Sequence, residues 1–199
     1  MNLWEFKAGF YDSARKLFPF NLILSKESAN LKNLLSKIDL GDGKILDVGT
    51  GTGTSLALGG ESAQLFALDS SFNMINKAKL KGRKNLIVGD ALALPIKSDY
   101  FNLITAIGLL EYQKEKIALL KEFQRVLIPT GCLLLTYSQI GLLNFIRFLG
   151  IHRLYLLSSA KFNQLIQESG LACLKKKHSL IQTQILLHDN SGTHGENKI

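Results

Sequence analysis

The sequence predicts an α/β fold in which helices cover a parallel β-sheet. From residue 45 onward, brief apolar runs alternate with amphipathic stretches, which is the pattern of strands buried on both faces between helices. The 199 residues are 46% hydrophobic and 20% charged. At that length one α/β domain buries a sufficient core without a metal or a disulfide. We therefore expect a single domain over residues 1–199.

Two helical segments precede the predicted sheet and form an N-terminal helical cap over residues 1–40. The first, over residues 3–17, has an aromatic face and meets Pro19, which should end it. The second runs from Ser25, a suitable N-cap residue, to Ile38, with leucines at helical spacing. This cap is expected to pack on the sheet that follows.

Five short apolar runs, each bounded by Gly, Asp or Asn, are the predicted strands of a core over residues 41–138. They are Ile45–Val48, Leu65–Leu68, Leu86–Val88, Phe101–Ala106 and Cys132–Tyr137. Helices are expected between them at residues 55–58, 72–81 and 114–127. Pro129 and Gly131 then separate the last of these helices from its strand.

After the predicted core, the sequence indicates an apolar insertion over residues 139–158, followed by one helix, two strands and a tail. The helix is expected at 159–168 and is ended by Gly170. The strands are expected at 171–174 and 180–187. The polar residues 189–199 predict a disordered tail.

Charge and cysteine content exclude several kinds of site. The net charge is +8, but no aromatic residues interleave with the basic runs at 77–84 and 175–177, so a nucleic-acid partner is disfavoured. Cys132 and Cys173 have no histidine or second cysteine at metal-ligand spacing, which predicts no metal site. With no apolar leader and no apolar run of about 18 residues, we expect a cytoplasmic protein.

The most informative segment is an apolar strand that runs directly into three alternating glycines. Residues 45–53 read Ile-Leu-Asp-Val-Gly-Thr-Gly-Thr-Gly. Such glycines let a ligand approach the main chain, because no Cβ stands in the way. The GxGxG spacing differs from the GxGxxG of dinucleotide sites, which disfavours an NAD-dependent oxidoreductase. Asp47, just before the first glycine, is placed to accept a hydrogen bond from a cationic amine.

Two further carboxylates follow the next two predicted strands. Asp69 ends the second strand twenty positions after Gly49, and its two oxygens suit the paired hydroxyls of a ribose. Asp90 follows the third strand and is placed to accept from the exocyclic amine of an adenine. The alternative is that these acids only cap turns or start a helix.

Four stretches, in the expected order across residues 45–138, resemble the class I S-adenosylmethionine-dependent methyltransferases, most closely the group with the type 11 methyltransferase domain. They are Leu-Asp-Val-Gly-Thr-Gly-Thr-Gly at 46–53, Ala-Leu-Asp-Ser-Ser-Phe-Asn-Met at 67–74, Gly-Asp-Ala-Leu-Ala-Leu-Pro at 89–95 with Tyr-Phe-Asn at 100–102, and Arg-Val-Leu-Ile-Pro-Thr-Gly at 125–131. The resemblance implies a Rossmann-like three-layer sandwich. Its mostly parallel seven-stranded sheet has an antiparallel last strand, with N-terminal helices and a helical insertion after strand 5.

The resemblance also implies the cofactor S-adenosylmethionine, the product S-adenosylhomocysteine, and a role for each matching residue. For the methionine part these are Asp47, Gly49, Thr50, Gly51 and Gly53; for the ribose Asp69; for the adenine Ser70, Met74, Asp90 and Ala91; and beside the sulfonium Ala106 and Ile107. The implied activity is methyl transfer to a small-molecule or lipid-like acceptor. A module that binds the cofactor without catalysis is the alternative.

The chain departs from the family at three places. Asn102 stands where the family usually has Asp, and Thr130 stands where it has the first Gly of Pro-Gly-Gly. Neither position belongs to the implied cofactor pocket. Quinone-methylating relatives typically have Gly-x-Arg-Asn after the fourth strand, where this chain has Gly-Leu-Leu-Glu at 108–111, so that activity is not assigned.

The acceptor is less well indicated than the cofactor, because an in-line methyl transfer needs alignment and exclusion of water more than a strong base. Tyr11 and His152 are the candidate catalytic residues, with plain packing as the alternative for both. Other candidates near the carboxyl edge of the sheet are Glu111, Tyr112, Tyr137 and Tyr155.

The insertion at 139–158 leaves too little polar face for a solvated helix, so it should bury against something. One interpretation is a lid over an apolar acceptor, with peripheral membrane contact through Arg147 and Arg153. The other is a dimer interface or core packing, so the sequence leaves monomer and homodimer both open.

Overall fold

The strands of the chain form one seven-stranded sheet in a computed structural model that describes residues 20–36, 38–53, 63–138, 154–179 and 181–190. The helices expected at 3–17 and 55–58, the residues 139–153 of the insertion and the tail from residue 191 lie outside these ranges. So do Tyr11 and His152, the two candidate catalytic residues.

The sheet has the mostly parallel order that the resemblance implied. Its strands are β1 Lys44–Val48, β2 Gln64–Asp69, β3 Leu86–Val88, β4 Phe101–Ala106, β5 Leu127–Tyr137, β6 Leu171–His178 and β7 Thr183–Asp189. Across the sheet they stand in the order β3-β2-β1-β4-β5-β7-β6. The pairs among β1 to β5 are parallel, whereas β7 runs antiparallel to both β5 and β6. The expectation of an antiparallel last strand is therefore confirmed.

Four helices and one short 3-10 turn are described around the sheet. They are α1 Phe20–Leu35, α2 Phe72–Leu80, the 3-10 turn Leu110–Tyr112, α3 Lys116–Val126 and α4 Ser159–Ser169. The prediction of Ser25 as an N-cap is wrong, because α1 begins at Phe20, directly after Pro19. Ser25 therefore lies inside the helix rather than before it.

Strand β5 begins earlier than the sequence predicts. Leu127 already pairs with Phe101, and the pairing then shifts register before Cys132 pairs with Leu103. The extra residues around Pro129 and Gly131 therefore form an irregular entry into the strand rather than a separate loop. The preceding helix ends at Val126.

Helices cover both faces of the sheet, which gives the expected three layers. On one face Phe123 of α3 and Phe162 of α4 pack against Ile104 and its neighbours. On the other face Leu31, Leu34 and Leu35 of α1 pack against Ile45, Leu103, Leu134 and Leu186. Successive residues of β4 point to opposite faces, so this central strand is buried from both sides.

The strand order also marks where a ligand should bind. Leaving β1, the chain adds β2 and β3 on one side and then crosses back to add β4 on the other. Ligand sites of open α/β sheets lie at the carboxyl ends of the strands, at the point where the order reverses. That point lies between β1 and β4.

Within the described ranges, each helix is too short or too polar to span a bilayer.

Candidate ligand-binding site

A cleft of about 720 Å³, counting the part open to solvent, lies at the carboxyl ends of β1 to β4. The lining residues are Gly49, Gly51, Leu68, Asp69, Ser70, Met74, Gly89, Asp90, Ala91, Ile107, Gly108, Leu109, Tyr112 and Gln113. Eight of them belong to the cofactor set that the resemblance implied.

The lining residues form two walls with the glycine loop, residues 49–53, between them. The β2–β3 wall consists of the residues that follow β2 and β3, namely Asp69, Ser70, Met74, Asp90 and Ala91. The β4 wall consists of lining residues between Ile107 and Gln113, which follow β4 and include Leu109 and Tyr112. A ligand in the cleft would therefore lie between these two walls.

The glycine loop contributes space rather than hydrogen-bond donors. Gly49 has a φ of +71°, and a Cβ there would lie 3.1 Å from Cδ1 of Leu109. The amides of Gly49 and Thr50 donate to the Leu68 carbonyl at 2.8 and 3.0 Å. The Gly51 amide donates to Asp69 at 2.8 Å. The loop thus places bare main chain against the cleft, with these amides already engaged inside the protein.

Asp69 connects the glycine loop to the start of α2. Its Oδ2 accepts from the Gly51 amide at 2.8 Å, and its Oδ1 accepts from the Ser71 amide at 2.9 Å. A carboxylate oxygen has more than one acceptor position, so these two hydrogen bonds do not by themselves prevent the carboxylate from meeting a ligand. The N-cap of α2 is Ser71, whose Oγ accepts from the Met74 amide. Asp69 is therefore not itself the helix cap that the alternative interpretation proposed.

The rest of the β2–β3 wall combines apolar and polar groups. Met74 and Ala91 are buried and line the cleft, and Ser70 stands at its exposed rim. Asp90 is exposed, and its Oδ1 accepts from the Leu92 amide at 2.9 Å. The turn role considered for Asp90 is thus present, and the same residue also lines the cleft.

Helix α3 holds the chain that follows Asp90. Arg125 donates to the carbonyls of Ile96 and Leu94 at 2.8 and 3.1 Å, and Glu122 accepts from the Leu94 amide at 2.7 Å. Arg125 and Glu122 also pair with each other at 2.7 Å. The hydrogen bond from Arg125 lowers the pKa of Glu122. Arg125 is the first residue of the Arg-Val-Leu-Ile-Pro-Thr-Gly stretch, and these contacts give it a role in holding the chain that follows Asp90.

Four of the implied cofactor residues do not line the cleft. Asp47 is 1% exposed, and its Oδ1 accepts from Thr105 Oγ1 at 2.6 Å, which links β1 to β4. Thr50 is buried, and its Oγ1 has no hydrogen-bond partner. Gly53 packs against Ala78, and Ala106 is buried in the core at the end of β4. Their roles toward a cofactor stay predictions.

Sequence reasoning missed several lining residues: Leu68, Gly89, Gly108, Leu109 and Gln113. Gly89 stands in the quoted Gly-Asp-Ala stretch, so a signal for it existed. Gln113 had none, because it follows a single 3-10 turn without periodicity. Gly108 is placed by β5, since its amide donates to Thr136 Oγ1 at 2.8 Å.

Of the other candidates near the carboxyl edge, Tyr112 lines the cleft. Tyr137 is buried and stacks on Phe162, with ring centroids 3.8 Å apart. Behind the β4 wall lie Glu111 and Lys116, both buried. Burial lowers the pKa of Lys116 below its usual 10.5, although the nearby charge of Glu111 opposes this shift.

In the part of the chain that the structure describes, no three His, Cys, Asp or Glu residues are grouped to hold a metal ion.

The sequence of the sheet matches a known family. Residues 46–135 match the family model described as a methyltransferase domain. A curated relative, the ubiquinone/menaquinone biosynthesis C-methyltransferase UbiE of Syntrophotalea carbinolica, is 33% identical over 139 residues. The aligned region is 65% of this chain and 57% of that protein. The chain spans about half the length of the curated relatives it matches.

Solved structures share the fold at low sequence identity. A SAM-dependent methyltransferase from Aquifex aeolicus has a TM-score of 0.63 at 18% identity, covering 79% of this chain and 88% of that one. The magnesium protoporphyrin IX methyltransferase ChlM from Synechocystis PCC 6803, solved with bound SAH, has a TM-score of 0.72 at 17% identity. That likeness covers 92% of this chain and 95% of the other.

Proposed function

We propose that this chain, which belongs to the class I S-adenosylmethionine-dependent methyltransferases, transfers a methyl group from S-adenosylmethionine to a small apolar or lipid-like acceptor. The observation that carries the proposal is the Asp69 carboxylate, which lies at the cleft where β2 ends. It stands beside a glycine loop that leaves the main chain bare.

The residues of the cleft fit this cofactor in shape and chemistry. A Cβ at Gly49 would press on Leu109, so the close approach of the loop requires glycine. Asp69 offers two oxygens for the paired ribose hydroxyls. Met74 and Ala91 supply apolar surface for an adenine ring, and Asp90 lies at the rim for its amine. We assign these residues to the nucleoside as part of the proposal.

When bound, the cofactor supplies an electrophilic methyl group on sulfur and keeps the bonding electrons as S-adenosylhomocysteine leaves. The chain's contribution is to align the acceptor with that methyl and to exclude water. Ile107, Leu109 and Tyr112 of the β4 wall line the cleft and are placed to do both. A proton leaving the acceptor goes to solvent or to a group outside the described residues.

The acceptor that fits these observations best is an uncharged, ring-containing molecule. The β4 wall contributes no charged side chain to the cleft lining, and the two lining acids belong to the β2–β3 wall. The UbiE relative is named as a C-methyltransferase of ubiquinone and menaquinone biosynthesis. A demethylated quinol with a short side chain is therefore the first probe, although the relatives' Gly-x-Arg-Asn is absent from this chain.

The direct test is a transfer assay on the full chain with S-adenosylmethionine carrying a tritiated methyl group. The demethylated quinol, a simple phenol and buffer alone are compared, and both methylated product and S-adenosylhomocysteine are measured. Label on the quinol in proportion to S-adenosylhomocysteine formed would support the proposal. Cofactor binding without transfer to any tested acceptor would favour the non-catalytic binding module instead.

A further inference from the structure

Behind the β4 wall lies a buried pair of opposite charges that the proposed function does not use. Glu111 is 2% exposed and Lys116 is 7% exposed. Burying a charge is costly unless it is paired and hydrogen-bonded. Each side chain makes a hydrogen bond: Ser138 Oγ donates to Glu111 Oε1 at 3.1 Å, and Lys116 Nζ donates to the Gln113 carbonyl at 2.5 Å. The charge of Glu111 also acts on Lys116, whose pKa it raises against the effect of burial.

The pair joins four separate segments of the chain. Glu111 belongs to the turn after β4, Lys116 begins α3, and Ser138 follows β5. The fourth segment contributes Tyr155, whose amide donates to the Glu111 carbonyl at 2.8 Å and whose ring centroid lies 5.2 Å from Lys116 Nζ. These two residues therefore set the distance between elements that meet beside the cleft.

Glu111 and Lys116 are next to, or in contact with, residues that line the cleft. Tyr112 and Gln113, which line it, follow Glu111 in sequence. Lys116 holds the main chain of Gln113, and Glu111, the residue before Tyr112, accepts a hydrogen bond from Ser138. Neither charged side chain is itself part of the lining.

We propose that Glu111 and Lys116 are positioning residues, which hold Tyr112 and Gln113 at the cleft and so set its affinity for S-adenosylhomocysteine. The inference rests on the proposed function, since it takes the cleft as the cofactor site. The positioning role goes beyond the proposed function, because it assigns a part in ligand binding to two side chains that do not line the cleft.

Stability alone does not require such a pair. Two opposite charges buried near each other are often no more stabilising than apolar side chains of similar size, whereas removing one charge leaves the other less compensated in the interior. The lowered pKa of Lys116 agrees with this cost, because burial disfavours its charged form. A variant that removes both charges together therefore separates a role in binding from a role in folding.

The experiment compares the full chain with Lys116→Met, with the double variant Glu111→Gln/Lys116→Met, and with Lys116→Arg. Lys121→Met, at an exposed position of the same helix, is the matched control. The dissociation constant for S-adenosylhomocysteine is measured by calorimetry, and the Tm is measured without ligand.

We expect Lys116→Met to lower both Tm and affinity. The double variant should recover the parent Tm to within about 3 °C but bind S-adenosylhomocysteine roughly fivefold or more weakly. Lys116→Arg, which keeps the charge and the donor, should bind more tightly than Lys116→Met. The control should match the parent in both measurements.

Parent-like affinity in the folded double variant would overturn the positioning role. If the double variant and Lys116→Arg both fail to fold, the pair serves folding and the positioning role is again overturned. Absence of binding in the parent chain would instead remove the proposed function, so the two failures are distinguishable.

Discussion

The two walls of the cleft are both held by charged residues of α3, yet the two arrangements differ in burial. At the β2–β3 wall, Glu122 and Arg125 are neighbours on one helix turn, with side chains 15% and 37% exposed. At the β4 wall, Glu111 and Lys116 are almost fully buried and draw partners from Ser138 and Tyr155. Both walls are thus held by contacts between residues far apart in sequence, but the first support is partly exposed and the second is buried.

This difference indicates how each wall should respond to substitution. A partly exposed pair is screened by solvent, and its loss should cost little more than the hydrogen bonds it makes. A buried pair leaves an uncompensated charge when one partner is removed, so its loss should move neighbouring segments. The glycine loop lies between the walls, and a change there should disturb both of them at once.

The largest effect is expected for Gly49→Ala, which changes the point where the glycine loop meets the β4 wall. A positive φ strains a non-glycine residue, and the new Cβ would lie 3.1 Å from Leu109. We expect a loss of about 2–3 kcal/mol of unfolding free energy together with a marked loss of affinity for S-adenosylhomocysteine. Urea unfolding and calorimetry measure the two quantities.

Gly82→Ala is the matched control for that variant. Gly82 also has a positive φ, but a Cβ there would meet no atom within 4 Å. Its cost should be about 1 kcal/mol of backbone strain, with binding unchanged. Equal effects of the two substitutions would show that the contact between the glycine loop and Leu109 has no role in the cleft.

A smaller effect is expected for Arg125→Met, which removes the support of the β2–β3 wall. The variant loses the donors to the Leu94 and Ile96 carbonyls, although the side chain is partly exposed. We expect the unfolding free energy to fall by roughly 1–2 kcal/mol and affinity to fall less than in Lys116→Met. An affinity loss larger than that of Lys116→Met would reverse the ranking of the two walls.

The smallest effect concerns pH. The hydrogen bond from Arg125 holds the pKa of Glu122 below 4.5 in the folded chain. A depressed pKa contributes stability that is fully present above the unfolded value and is lost as the pH falls through the folded value. The parent should therefore lose stability relative to Glu122→Gln as the pH falls below about 4.5. Tm values that stay parallel from pH 7 to pH 3 would contradict this assignment.

The two walls also differ in what the sequence could predict. Asp69 and Asp90 were predictable because they stand at or just after the ends of short apolar strands, and parallel strands end at one edge of a sheet. Tyr112 was only one of several candidates and Gln113 was not found, since the segment after β4 is held through Gly108 and Glu111 by Thr136, Ser138 and Tyr155, far along the chain. Contacts of that range leave no local pattern.

One other difference has a local origin. The start of α1 was placed too late because Ser25 satisfies a capping pattern inside a longer apolar helix. In contrast, the bounds of β3 and β4 agree with the prediction, because buried parallel strands have continuous apolar sequences.

The measurement that tests this account most directly is calorimetric titration of the full chain with S-adenosylhomocysteine and with NAD. Asp69→Ala is titrated beside Asp42→Ala, an exposed aspartate in the turn before β1 that serves as the control. The account predicts binding of S-adenosylhomocysteine but not of NAD. It also predicts a ten- to hundredfold weaker affinity in Asp69→Ala, about 1.4–2.8 kcal/mol, from the loss of charge-assisted hydrogen bonds. Unchanged affinity in a folded Asp69→Ala, or binding of NAD in place of S-adenosylhomocysteine, would contradict it.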